Sequence, residues 1–173
     1  MKAIRLIALA ACMAATLDAS AQEQEIRLFS HRGGRMEHDE NTLSAFQASY
    51  DAGYRGFETD IRMTRDGALV ITHDSSLERT TDGTGTVEEK TEAEIRRLHT
   101  KQGNKVLFLD ELLEFLEGKE GLYVEFEMKT KPVELYPEER LHAYCDKLYD
   151  AVMAVKPADA VFVFTSGDYR GLR

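Results

Sequence analysis

Two runs in which apolar and charged residues alternate, Gly56–Met63 (GFETDIRM) and Leu122–Lys129 (LYVEFEMK), constrain the fold of this chain more than any other feature. Successive side chains of a strand point to opposite faces, so Phe57, Thr59 and Ile61 share one face and Glu58, Asp60 and Arg62 the other. In the later run Leu122, Val124, Phe126 and Met128 oppose Tyr123, Glu125, Glu127 and Lys129. An antiparallel sheet with one wet face accommodates this pattern without consequence. A parallel sheet does not. Both of its faces are covered, and an enclosed carboxylate there is costly unless it is paired or bound to a metal.

The surrounding pattern favours the parallel arrangement. Ile26–His31 reads as a strand ended by Gly33-Gly34. Asn41 or Thr42 then caps a helix with Leu43, Phe46 and Tyr50 on one face. Ala68–His73 forms a third strand after the Asp66-Gly67 turn, and Thr91–Leu98 a short polar helix. Leu109, Leu112, Leu113 and Leu116 make a helical stripe ending at Gly118. Pro137 opens a longer helix facing inward through Leu141, Tyr144, Cys145, Leu148, Val152 and Val155, and Ala160–Phe164 is a last strand. Strands alternating with helices predict an α/β domain with a mainly parallel sheet.

Composition narrows the function. The chain has 173 residues and a net charge of −9, which gives no basic surplus for nucleic acid. No run of apolar residues is long enough to span a membrane. Residues 1–21 read as a secretory leader: Lys2 and Arg5 are basic, Leu6–Leu17 is apolar, and Ala19-Ser20-Ala21 is a cleavage site. The expected mature domain is residues 22–173, periplasmic or secreted. A lipoprotein box ending at Cys12 ranks second. Only Cys145 lies beyond the leader, so no internal disulfide is expected.

Two carboxylates two residues apart on one strand, with one from another strand, would form a cup of hard oxygen ligands suited to Mg²⁺ or Ca²⁺. The alternative is a solvated strand face. His31 and His73 each end a strand, where two imidazoles can serve as an acid and base pair or stand as ordinary surface or core residues. His38, His99 and His142 fall in loops or on helices and are read as ordinary.

Several segments together carry a resemblance: His31-Arg32-Gly33-Gly34, Glu40-Asn41-Thr42-Leu43, Glu58-Thr59-Asp60, His73-Asp74, Arg79-Thr80-Thr81-Asp82-Gly83-Thr84-Gly85 and Glu127-Met128-Lys129. In this order and spacing the chain resembles the glycerophosphodiester phosphodiesterase family. The resemblance implies a TIM-type (β/α)8 barrel that hydrolyses glycerophosphodiesters to an alcohol and sn-glycerol 3-phosphate. It implies one divalent cation on Glu58, Asp60 and Glu127, with His31 and His73 as acid and base. Arg32 and Lys129 become phosphate contacts, and the first nucleophile a neighbouring glycerol hydroxyl that gives a cyclic phosphate. Asn41-Thr42 is expected to cap a helix with Glu40 aiding its dipole, and Asp74 either to orient His73 or to cap. Glu125 is a further partner one layer deeper.

About five strands are expected, where a full barrel needs eight and about 250 residues. An incomplete barrel leaves open sheet edges. A longer parent chain, a natural truncation, or self-association through those edges would each account for the shortfall. A lysophospholipid-cleaving enzyme and a non-catalytic binding protein on the same barrel are the competing functions.

Overall fold

The computed structural model describes residues 27–172, so the leader over residues 1–21 and Cys12 lie outside the described residues. Its elements run β1 (Phe29–His31), α1 (Leu43–Asp51), β2 (Gly56–Met63), β3 (Leu69–Ile71), α2 (Glu92–Ile95), α3 (Leu109–Leu116), β4 (Tyr123–Met128), α4 (Glu138–Val155) and β5 (Val161–Ser166). Single 3₁₀ turns occur at Val87–Glu89 and Tyr169–Leu172.

Strands β1, β2, β4 and β5 lie side by side in that order, all parallel. The apolar halves of the alternating strands do what their period requires. Phe57, Ile61, Val124, Phe126 and Met128 pack with Phe46 of α1, the leucines of α3, and Tyr144, Leu148 and Val152 of α4 into one core. All three helices therefore cover the same face of the sheet. The opposite face carries Glu58, Asp60, Arg62, Glu125 and Glu127, as in a barrel interior. Glu58 and Asp60 are buried there, so they do not form a solvated strand face.

The third strand departs from expectation. β3 is shorter than Ala68–His73 and pairs antiparallel with β2, Met63 opposite Leu69 and Ile61 opposite Ile71. It takes over the edge of β2 that β1 leaves after Glu58. Only four of the five strands are thus parallel barrel strands, and β3 is the return arm of a hairpin. Its residues are buried on both faces: Leu69 and Ile71 enter the main core, while Val70 joins a second core with Leu77, Val87, Ile95, Val106 and Phe108. That second core shapes the excursion between β3 and α3.

The helix expected over Thr91–Leu98 shortens to Glu92–Ile95, and Leu43 is exposed rather than packed, but the helix starts follow their local signals. Thr42 caps α1 by accepting from the Ala45 amide, and Thr91 with Glu94 forms a capping box on α2. Pro137 stands at the N-cap of α4 with Glu138 and Glu139 in the first turn. Cys145 is a half-buried free thiol.

Candidate active site

The C-terminal ends of β1, β2 and β4 converge because the parallel ladders run on past the strands. The Arg32 amide donates to the Glu58 carbonyl at 3.0 Å, and the Lys129 amide to the Ile61 carbonyl at 3.1 Å. Asp60 lies opposite Glu127 in register. Oxygens of Glu58, Asp60 and Glu127 consequently come within 4.8 Å of one another.

Three like charges this close require compensation. Lys129 Nζ lies 2.6 Å from Glu127 Oε1 and 3.0 Å from Asp60 Oδ1, and Arg32 Nε lies 3.1 Å from Asp60 Oδ2. The contacts of Arg32 Nε and of Asp60 Oδ1 are close in distance but not aligned as hydrogen bonds. Asn41 Nδ2 does donate to Asp60 Oδ2, at 2.8 Å. Glu58 Oε2 accepts the Arg32 amide at 3.0 Å, whereas its buried Oε1 has no hydrogen-bond partner. Burial first, and the Asp60 charge second, push the Glu58 carboxyl up to about 8. A divalent ion suits this cup: it would give the orphaned oxygen a partner and relieve the repulsion, and an all-oxygen set fits a hard cation.

His31 stands at the end of β1 with its side chain half exposed and Nε2 3.5 Å from Glu58 Oε2. Burial foremost, then the Arg32 and Arg35 charges, hold its pKa below the usual value. Gly33 and Gly34, both at positive φ, turn the chain back immediately after it. A Cβ on Gly33 would lie 2.9 Å from that of Ala45, so the turn packs directly on α1.

His73 follows the antiparallel β3, so it does not occupy a parallel strand end as expected. The hairpin nonetheless returns it to the site, because the Thr72 amide bonds the Asp60 carbonyl at 2.9 Å. Asp74 orients it: Oδ1 lies 2.6 Å from His73 Nδ1. Arg79 bonds Asp74 on one side and both oxygens of Glu40 on the other, and Glu40 also accepts from Arg32 Nη1 at 3.2 Å. The Arg79 hydrogen bond is the chief reason that the Asp74 carboxyl falls to about 2.

The structure therefore brings together all seven expected residues, Glu58, Asp60, Glu127, Arg32, Lys129, His31 and His73. It also corrects two assignments. Asn41 is not the helix cap but a buried amide on Asp60, held at a left-handed φ of 58° that asparagine tolerates. Glu40 serves Arg32 and Arg79 rather than the dipole of α1. Glu125, one layer deeper, accepts from Thr165 Oγ1 at 2.9 Å.

The sequence model of the glycerophosphoryl diester phosphodiesterase family matches residues 31–168. The chain belongs to this family. A glycerophosphodiester phosphodiesterase of Caldanaerobacter subterraneus subsp. tengcongensis is 37% identical over 123 residues, 66% of this chain and 50% of that protein. Among solved structures, a Silicibacter pomeroyi glycerophosphoryl diester phosphodiesterase aligns with TM-score 0.76 at 27% identity, over 85% of this chain and 59% of the other. An Oleispira antarctica phosphodiesterase, determined in complex with the product sn-glycerol-3-phosphate, aligns with TM-score 0.74 at 27% identity, over 85% and 60%. The glycerophosphoryl diester phosphodiesterase fold is thus shared over most of the described residues. The chain spans about half the length of the curated relatives it matches.

Proposed function

We propose that this chain is a divalent-metal-dependent hydrolase of glycerophosphodiesters, releasing an alcohol and sn-glycerol 3-phosphate. The observation that carries the reading is the carboxylate triad of buried Glu58 and Asp60 with half-buried Glu127, against which Arg32 and Lys129 are set. Carboxylates alone would repel a phosphodiester. Glu58, Asp60 and Glu127 would hold Ca²⁺ or Mg²⁺, which when bound polarises a phosphoryl oxygen. Arg32 and Lys129 add fixed positive charge for the phosphate, Arg32 through its planar fork and Lys129 as a point charge.

His31 and His73 serve as the proton carriers: one takes the proton of the attacking hydroxyl, and the other returns one to the leaving alkoxide. Asp74 on Nδ1 fixes the His73 tautomer, so that Nε2 is the atom that exchanges the proton. We also propose export, directed by residues 1–21. The exported protein then begins at Gln22, and an N-terminal sequence starting at Met1 would overturn this.

The test is glycerol 3-phosphate release from glycerophosphocholine by the purified chain, with Ca²⁺ or Mg²⁺ against EDTA, beside His31→Ala and Glu127→Gln. Release that needs the ion and disappears in both variants supports the reading. A folded chain that releases nothing, or that works equally in EDTA, overturns it.

A further inference from the structure

We infer that Arg62 is a positioning residue, which fixes His73 and Lys129 to β2 through their backbone carbonyls. The inference rests on the functional reading above. Arg62 continues the charged face of β2 beyond Glu58 and Asp60, and it is buried. Its guanidinium forks onto one carbonyl: Nε and Nη2 donate to His73 O at 3.0 and 2.9 Å. Nη1 donates to Glu88 Oε1 at 2.7 Å and to Lys129 O at 3.4 Å. Four of its five N–H donors are thereby engaged, so Arg62 is not a free cation for the substrate phosphate.

The two carbonyls need such a tether. The β3 ladder ends at Ile71 and β4 at Met128, so both His73 and Lys129 lie just past regular structure. Arg62 is in turn held from behind. Glu88 accepts from Ser75 Oγ at 2.6 Å and from the Tyr136 hydroxyl at 3.0 Å, and that hydroxyl accepts the Met63 amide at 3.0 Å. One buried network therefore joins β2, the loop after β3, the end of β4 and the segment before α4. A buried ion pair adds little stability over an apolar pair of the same volume. What an apolar pair would not reproduce is the fork that sets where His73 and Lys129 stand.

The single variant Arg62→Met would strand a buried Glu88 charge and risks unfolding, so the decisive protein is the full chain carrying Arg62→Met with Glu88→Gln. A second variant, Arg62→Lys, keeps the charge but loses the fork. We measure melting temperature, Ca²⁺ affinity, kcat and KM for glycerophosphocholine, and the imidazole ¹H–¹⁵N signals of His73, assigned with His73→Gln. The expected result is a folded double variant that still binds Ca²⁺, with kcat lower by about 10- to 100-fold and displaced His73 signals. Arg62→Lys is expected not to restore kcat. A folded double variant with wild-type kcat and unmoved His73 signals overturns the inference, as does full rescue by lysine. If the unsubstituted chain proves inactive, the hydrolase reading fails on its own. The His73 signals then decide: displacement in both variants supports the tether, and unchanged signals overturn it.

Discussion

Asp60 has no exposed surface, yet Arg32, Asn41 and Lys129 all reach it. Asn41 does so from a left-handed backbone position, which separates two effects of mutating it. Asn41→Gly keeps the backbone comfortable and loses the amide bond to a carboxylate, worth about 1.5–3 kcal/mol. Asn41→Ala loses the same bond and adds about 1 kcal/mol of left-handed strain. Urea unfolding should rank native above Gly above Ala; equal Gly and Ala would show that the φ is not held. Glu58 supplies a pH dependence. Its folded pKa of about 8 lies above the ordinary 4.5, so the ion-free folded state holds a proton that the unfolded chain has lost. Ion-free stability should therefore fall as pH rises from 4.5 towards about 8 and level off above. An ion must displace that proton, so Ca²⁺ or Mg²⁺ affinity should climb over the same window. Calorimetric titration in two buffers of different ionisation heat checks the proton release, and an affinity flat in pH would refute it.

At the scale of elements, α4 is clipped to β2 by polar contacts as well as by packing. Tyr144 donates to the Ile61 carbonyl at 3.0 Å, and Arg140 to the carbonyls of Met63 and Thr64. The Ile61 carbonyl also accepts from the Lys129 amide, so Tyr144→Phe leaves no orphaned acceptor. The expected loss is about 1 kcal/mol, a single net hydrogen bond. A loss of several kcal/mol in denaturant unfolding would mean that the hydroxyl supports the strand end itself. These strands were legible in the sequence because period-two alternation survives in any sheet. Their parallel direction was legible from the helices between them, and only the sense of β3 was not. Alternation is identical in parallel and antiparallel pairs, and the three residues of β3 carry no signal of pairing sense. His73 was recognised as a strand-end histidine for the wrong geometric reason, since a hairpin brings it to the site. Asn41 was hidden by its type: an asparagine beside a threonine before a helix reads as a cap, and nothing local reveals a carboxylate 19 positions later. Arg62 shared a face with Glu58 and Asp60 in the sequence, but its partners lie on three separate segments.

Across the whole molecule, helices cover one face of the sheet and acidic residues line the other, so an ion bound there would have global consequences. A ligand at 100 times its Kd adds about 2.7 kcal/mol to stability. At about 2–4 °C per kcal/mol for a domain of this size, saturating Ca²⁺ or Mg²⁺ should raise Tm by about 5–10 °C. Asp60→Asn should lose most of that rise, and a native Tm indifferent to both ions would rule out the carboxylate cup as a metal site. Lys129 makes the sharper case. Without an ion its ammonium lies against Glu127 and Asp60, neutralising the charge that an ion would neutralise. On the proposed function, Lys129 and the ion would therefore compete for the carboxylates, while both would attract the phosphate. Two unit charges about 4 Å apart near a protein surface interact by about 4 kcal/mol, much of it screened once side chains relax. Lys129→Met should accordingly bind Ca²⁺ about tenfold more tightly, near 1.4 kcal/mol. The same variant should raise KM for the phosphodiester, because the anion loses a positive contact. Affinity for the ion and affinity for substrate would then move in opposite directions upon one substitution. Calorimetry for Ca²⁺ and steady-state kinetics for KM read the two separately. If both weaken together, Lys129 is a structural support of the cup rather than a stand-in for its ion.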